Sequence, residues 1–124
     1  MAKFLIRQVS TGSRFDLRAP NGESIAASEV YSSLAVCRRG AESVEACVSI
    51  AHFADLTQKE QATNPKFQLY QDRTGGFRFR LRARNGKIIA VSESYSSRQA
   101  CLKGIEAVRR YGTEAIVETE TVEW

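Results

Sequence analysis

The sequence predicts an α+β fold in which two tandem β-β-β-α-β units form one antiparallel sheet, with both helices on one face. Three observations carry that expectation. The chain repeats itself, each repeat first alternates apolar and polar residues at strand period, and each then turns to a helical apolar stripe. Residues 3–44 align with 66–108 once Gly76 is taken as an insertion. The pairs are identical at 5 of 10 positions before the insertion and at 18 of 32 after it, which marks duplication of one structural unit. We take repeat 1 as 3–54, repeat 2 as 66–122 and the polar stretch 55–65, which ends in Asn-Pro, as their connector. The whole chain, 1–124, then makes a single pseudo-symmetric domain, because one unit alone would bury too small a core.

Each element has its own signal. The first strand of each unit, Lys3 to Val9 and Lys66 to Gln71, is rich in apolar residues and ends at a glycine turn, Thr11-Gly12 or Thr74-Gly75-Gly76. The second strands, Arg14 to Ala19 and Phe77 to Ala83, lead into Asn21-Gly22 and Asn85-Gly86, read as two-residue type I′ turns. Third strands follow at Glu23 to Ser28 and Lys87 to Ser92. Tyr31-Ser32-Ser33 and Tyr95-Ser96-Ser97 mark helix starts, since a serine oxygen accepts from free first-turn amides, and Ser96 with Gln99 has capping-box spacing. Cys101, Gly104, Ile105 and Val108 form one helical stripe, matched by Cys37, Gly40, Ala41 and Val44. Gly112 after Arg109-Arg110 reads as a helix stop. Short β-like runs close the units at Val48 to Phe53 and Ala115 to Glu120, and alternation after Thr119 extends the last strand to Trp124.

Composition narrows the function classes. The chain has 124 residues, 43% hydrophobic and 26% charged, with no apolar run of membrane-spanning length and no leader pattern at its start. Three cysteines without CxxC spacing fit reduced thiols, and a cytoplasmic location follows as the expectation. One histidine, His52, cannot make a metal site with cysteines so dispersed, and no glycine pattern of a phosphate loop opens a helix; neither metal nor cofactor is expected. Cys37 and Cys101 lie on apolar stripes and read as core residues.

Charge is the uneven feature. Residues 66–111 hold 11 Lys/Arg against 3 Asp/Glu, whereas 3–46 hold 6 against 5. Within Phe77-Arg-Phe-Arg-Leu-Arg-Ala-Arg84, strand alternation places Arg78, Arg80, Arg82 and Arg84 on one face and Phe77, Phe79, Leu81 and Ala83 on the other. The matching face of repeat 1 reads Arg14, Asp16, Arg18, Pro20, a broken ladder. Arg14, Arg18, Arg78, Arg80, Arg82 and Arg84 are therefore the candidate binding residues, with Tyr70 joining from the next strand. Two readings stay open for them: a surface that neutralises phosphates of a nucleic acid or another polyanion, or a solvated face bridging to acidic neighbours.

The twice-used Ser-Glu-x-Tyr-Ser-Ser motif, at 28–33 and 92–97, reads mainly as helix capping, with tyrosine packing and glutamate bonding turn amides. An enzymatic use of its Glu and Tyr is the weaker alternative. These residues also carry a resemblance. Phe79-Arg-Leu-Arg-Ala, Asn85-Gly-Lys-Ile-Ile-Ala, Ser92-Glu-Ser-Tyr95-Ser-Ser and Cys101-Leu-Lys-Gly-Ile-Glu-Ala-Val108, with their echoes from Phe15 to Val44, resemble the YegP-like family of small bacterial proteins. The resemblance spans nearly the whole chain. It implies tandem units in one sheet with the C-terminal strands swapped between halves, and it implies no activity. The expected function is a non-enzymatic binding or interaction module that works through its open sheet face, with polyanion binding by the arginines as the alternative. Partners would be a nucleic acid, another polyanion or a protein, with no membrane, and the internal pseudo-dimer would make the chain a monomer.

Overall fold

A computed structural model describes residues 1–120. The strands are β1 (Lys3–Val9), β2 (Gly12–Arg18), β3 (Ser24–Ala27), β4 (His52–Asp55), β5 (Lys66–Gln71), β6 (Phe77–Arg82), β7 (Ile88–Val91) and β8 (Ile116–Thr119); the helices are α1 (Leu34–Val48) and α2 (Arg98–Gly112). All eight strands form one sheet in the order β4-β5-β6-β7-β3-β2-β1-β8. That order is symmetric about the β7–β3 seam, where the repeats meet antiparallel through Ala27 and Val91. Helices α1 and α2 both lie on one face, over a core of Phe4, Phe15, Phe67 and Phe79 with flanking aliphatics.

The closing strands are swapped. β4 of repeat 1 pairs with β5 of repeat 2, and β8 of repeat 2 pairs with β1 of repeat 1. Both pairs run parallel, so the sheet is mixed: antiparallel through its six inner strands and parallel at each edge. The physical reason lies in the helices. Each lies across the strands and releases the chain at the end of the sheet where the third strand left it, so the closing strand runs opposite to that third strand and parallel to the partner unit's first strand.

Local differences from the sequence reading also have causes. The Asn-Gly turns are not type I′, because Asn21 and Asn85 keep negative φ while Gly22 and Gly86 take +88° and +84°. Gly22 N donates to Ala19 O and Ala19 N to Glu23 O, both 2.9 Å, which is a three-residue loop with a glycine bulge. Repeat 2 does the same at Ala83, Gly86 and Lys87. Ser97, not Ser96, caps α2, its oxygen accepting from Ala100 N, and Ser33 caps α1 by accepting from Val36 N. Helix α1 runs on through Val48, so β4 begins only at His52 and takes in Asp55, which the sequence reading gave to the connector. Gly112 stays inside α2 because its bare Cα packs on Val48 of α1. The expected extension of β8 to Trp124 lies outside the described residues.

Gly40 and Gly104 serve the motif tyrosines. Tyr31 stacks on Phe15 and Tyr95 on Phe79, with centroids 6.4 and 6.3 Å apart, and each hydroxyl end lies against its helix glycine. A Cβ on Gly104 would come within 2.5 Å of the Tyr95 hydroxyl and 3.0 Å of the Phe79 ring. Gly104→Ala is therefore expected to lower stability by about 1–2 kcal/mol, because overpacking outweighs the helix-propensity gain. A urea unfolding midpoint checks it; a midpoint equal to or above that of the parent chain contradicts it.

Candidate functional site

The face away from the helices is built from outward-pointing residues of the inner strands. On β6, Phe79 and Leu81 enter the core, so Arg78, Arg80 and Arg82 face out. Opposite Arg80 on β5 stands Gln68, and opposite Arg78 stands Tyr70. Gln68 is buried, and its one Oε1 accepts from both Arg80 Nε, at 2.8 Å, and Arg82 Nε, at 2.7 Å. The Arg80 guanidinium also lies 4.7 Å from the Tyr70 ring centroid, and Arg82 donates to Gly86 O at 2.7 Å. Among the described residues neither arginine has a carboxylate partner. Burial, and next the charge of Arg82, pull the Arg80 pKa below the usual arginine value.

The other predicted members of the ladder are placed differently. Arg84 is not on the strand; it is exposed in the turn after β6, at the position Pro20 holds in repeat 1. Arg78 is held by Asp72 at 3.0 Å, and hydrogen bonds from Thr74, Ser94 and Arg78 press that carboxyl well below the usual range. In repeat 1 the residue equivalent to Arg80 is Asp16. Its buried carboxylate gathers Arg7 at 2.8 Å, Arg18 at 3.2 Å and Arg14 at 3.7 Å. The two halves of one face thus differ in kind: three arginines drawn onto one buried carboxylate, and an arginine pair resting on a neutral amide.

A protein-family model described as a domain of unknown function, DUF1508, matches the chain twice, over residues 10–55 and 72–118. The chain belongs to the DUF1508 family. It is similar to the UPF0339 protein YegP of Yersinia pestis, with 32% identity over 123 residues covering 98% of both chains. A UPF0339 protein of Treponema denticola is 52% identical over 52 residues, which is 42% of this chain but 90% of that one. Among solved structures, the solution NMR structure of YegP from Escherichia coli superposes with a TM-score of 0.78 at 30% identity, covering 98% of this chain and 95% of that one. The UPF0339 protein SO3888 of Shewanella oneidensis gives 0.77 at 26% identity, covering 95% and 90%.

In this DUF1508 chain the duplicated motif has structural employment. Ser28 and Ser92 hydroxyls accept from Phe15 N and Phe79 N at 2.9 Å and donate to the carbonyls of Glu29 and Glu93. The serines, not the glutamates, bind backbone amides, and those amides belong to β2 and β6; the Glu29 and Glu93 side chains are exposed. Burial raises the Tyr31 and Tyr95 pKa values, and it pushes the Cys101 thiol up to about 11 and Cys37 above its usual value. Such thiols are poor nucleophiles. His52 is exposed at the start of β4, and no described helix is long and apolar enough to cross a membrane. Sequence reasoning missed Gln68, because alternation assigns a face but not the strand register that brings one amide to two arginines.

Proposed function

We propose that this DUF1508 chain is a non-enzymatic binding module whose open sheet face, in the half built by repeat 2, takes an anionic partner. The observation that carries the reading is the Arg80–Arg82 pair on the single neutral acceptor Gln68. Two like charges two residues apart on one strand repel each other, and a bound anion would relieve what Gln68 cannot. Repeat 1 offers the built-in comparison, since Arg7 and Arg18 there sit closest to a carboxylate, Asp16, rather than to a neutral amide. Lys66 lies across from Arg82, and exposed Arg73 and Arg84 extend the positive field along that half of the sheet. The employment of the motif serines and tyrosines in capping and packing speaks for binding rather than catalysis.

The test is fluorescence anisotropy with labelled single- and double-stranded DNA and RNA, at low salt and at about 150 mM. Retained binding at the higher salt is expected, weakened about tenfold or more when Arg80 and Arg82 are both changed to serine. Changing Arg7 and Arg18 should leave affinity nearly unaltered. Binding that vanishes at the higher salt, or that responds equally to both pairs, would be the generic attraction of a basic protein and would end the proposal.

A further inference from the structure

Where the repeats meet, the same open face carries a groove of about 530 Å³. It lies over the β3–β7 seam, and no helix residue lines it. Its floor is apolar, formed by Ile25 and Ala27 of repeat 1 with Ile89 and Val91 of repeat 2. Its rim is charged and pseudo-symmetric, with Arg14 and Glu29 from one repeat and Arg78 and Glu93 from the other. Asp16, spent on the repeat 1 arginines, also touches it.

The rim charges are not equally available. Arg78 is held by Asp72 at 3.0 Å, and Glu29 pairs with Lys87 at 3.5 Å. Arg14 is the loosest of the three arginines on Asp16, at 3.7 Å, and its buried Nε has no hydrogen-bond partner. Among the described residues the Glu93 carboxylate has no partner. Arg14, shared with Asp16, is therefore the least tightly held cation of the rim and Glu93 its free anion among the described residues, and pairing register fixes their separation. Asp16 faces Ala27, Ala27 faces Val91, and Val91 faces Arg80. Arg14 and Glu93 then sit at diagonal corners, two strands and about four residues apart. With strands about 4.8 Å apart and a rise of about 3.3 Å per residue, their Cα atoms lie roughly 16 Å apart. The arginine side chain takes up several ångströms of that distance, so the charged ends would suit a zwitterion about 10 Å long, three extended residues.

We propose that the seam groove binds short apolar peptides with free termini. The carboxylate sits at Arg14, the ammonium at Glu93, and the apolar middle side chain over Ala27 and Val91. Free amino acids are too short to reach both corners. Peptides with a charged middle residue would have to desolvate that charge over the aliphatic floor. This site is separate from the Arg80–Arg82 pair and stands whether or not that pair binds anions.

The experiment is a two-dimensional amide NMR titration of the full chain with Ala-Leu-Ala, its N-acetylated form, its C-amidated form and Ala-Asp-Ala. Saturable shifts confined to Ser24–Glu29 and Ile88–Glu93 are expected with free Ala-Leu-Ala. Affinity should drop about tenfold or more on capping either end or on placing aspartate in the middle. In Glu93→Gln the acetylated and free peptides should bind alike, and in Arg14→Gln the amidated and free peptides should. Glu93 is exposed and Arg14 half-buried, and an unchanged spectrum outside the groove confirms that the variants are folded. Absence of saturable shifts, equal binding of the capped forms to the parent chain, or shifts centred on Arg80 and Arg82 would each overturn the proposal.

Discussion

Arg98→Ala is expected to cost about 3 kcal/mol of folding stability, far more than removal of an ordinary surface arginine. Arg98 opens α2 in repeat 2, and its guanidinium grips Asp55 at the end of the swapped strand β4, with Nε donating to Oδ2 at 2.6 Å. The Asp55 side chain is fully buried, while Arg98 stays 42% exposed. The pair is thus asymmetric. Loss of the arginine leaves a carboxylate in the core with Thr57 as its remaining hydrogen-bond donor, and that uncompensated charge sets the cost. Arg110→Ala, at an exposed position of the same helix, should change stability by less than about 0.5 kcal/mol. Urea unfolding of the three proteins decides the matter, and equal losses for both variants would contradict the assignment.

The same pair sets a pH dependence. Burial alone would raise the Asp55 pKa, but hydrogen bonds from Thr57 and Arg98 and the arginine charge outweigh it, and the folded value lies below the ordinary one. A lowered folded pKa means that the stabilisation is fully present above the unfolded value of about 3.9 and is lost as pH falls through the folded value. The stability gap between the parent chain and Arg98→Ala should therefore be widest near neutrality and narrow below about pH 4. A gap that stays constant down to acid pH would remove Asp55 as its cause.

What was legible in the sequence follows the range of the interactions. The duplication, the strand and helix order, the buried stripe from Cys101 to Val108 and the outward arginines of β6 are all local periodicities, and those places match. The misses sit where two distant segments decide. Gly112 looks like a helix stop until Val48 is packed against it, and α1 outruns its expected end because Val48 is needed in that contact. Arg84 fits the alternation, yet the glycine bulge at Gly86 turns the chain before it. Gln68, Asp72 and the Asp55–Arg98 pair gain their meaning only from register and from the swap. The repeat alignment does show that Asp16 stands where repeat 2 has Arg80, but not that the one gathers three arginines and the other rests on an amide.

Cutting the chain in the 55–65 connector, after Asp55 and its supporting 3₁₀ turn Leu56–Gln58, should give two halves with different fates. Neither half is expected to fold as a monomer. Each would lose the first strand that receives its closing strand, and each helix would lose packing on the other repeat's third strand. A homodimer can restore the sheet, but only where the swapped strand finds a compatible helix. In a repeat 2 dimer, β8 brings Thr119 beside the start of α2 of the other copy, which buries no charge. In a repeat 1 dimer, β4 brings Asp55 to a helix that begins with Leu34 where repeat 2 has Arg98, and the buried carboxylate goes uncompensated. Repeat 2 should thus form a folded dimer, repeat 1 should stay unfolded alone, and mixing the two should restore a one-to-one complex. The Treponema relative, matched over 90% of its length by little more than one repeat's worth of residues, is the size of such a half. Sedimentation and circular dichroism of the separate and mixed halves would test this, and Asp55→Thr in repeat 1 should rescue its self-association. A folded monomeric repeat 1 would mean that the strand exchange is not what holds the two halves together.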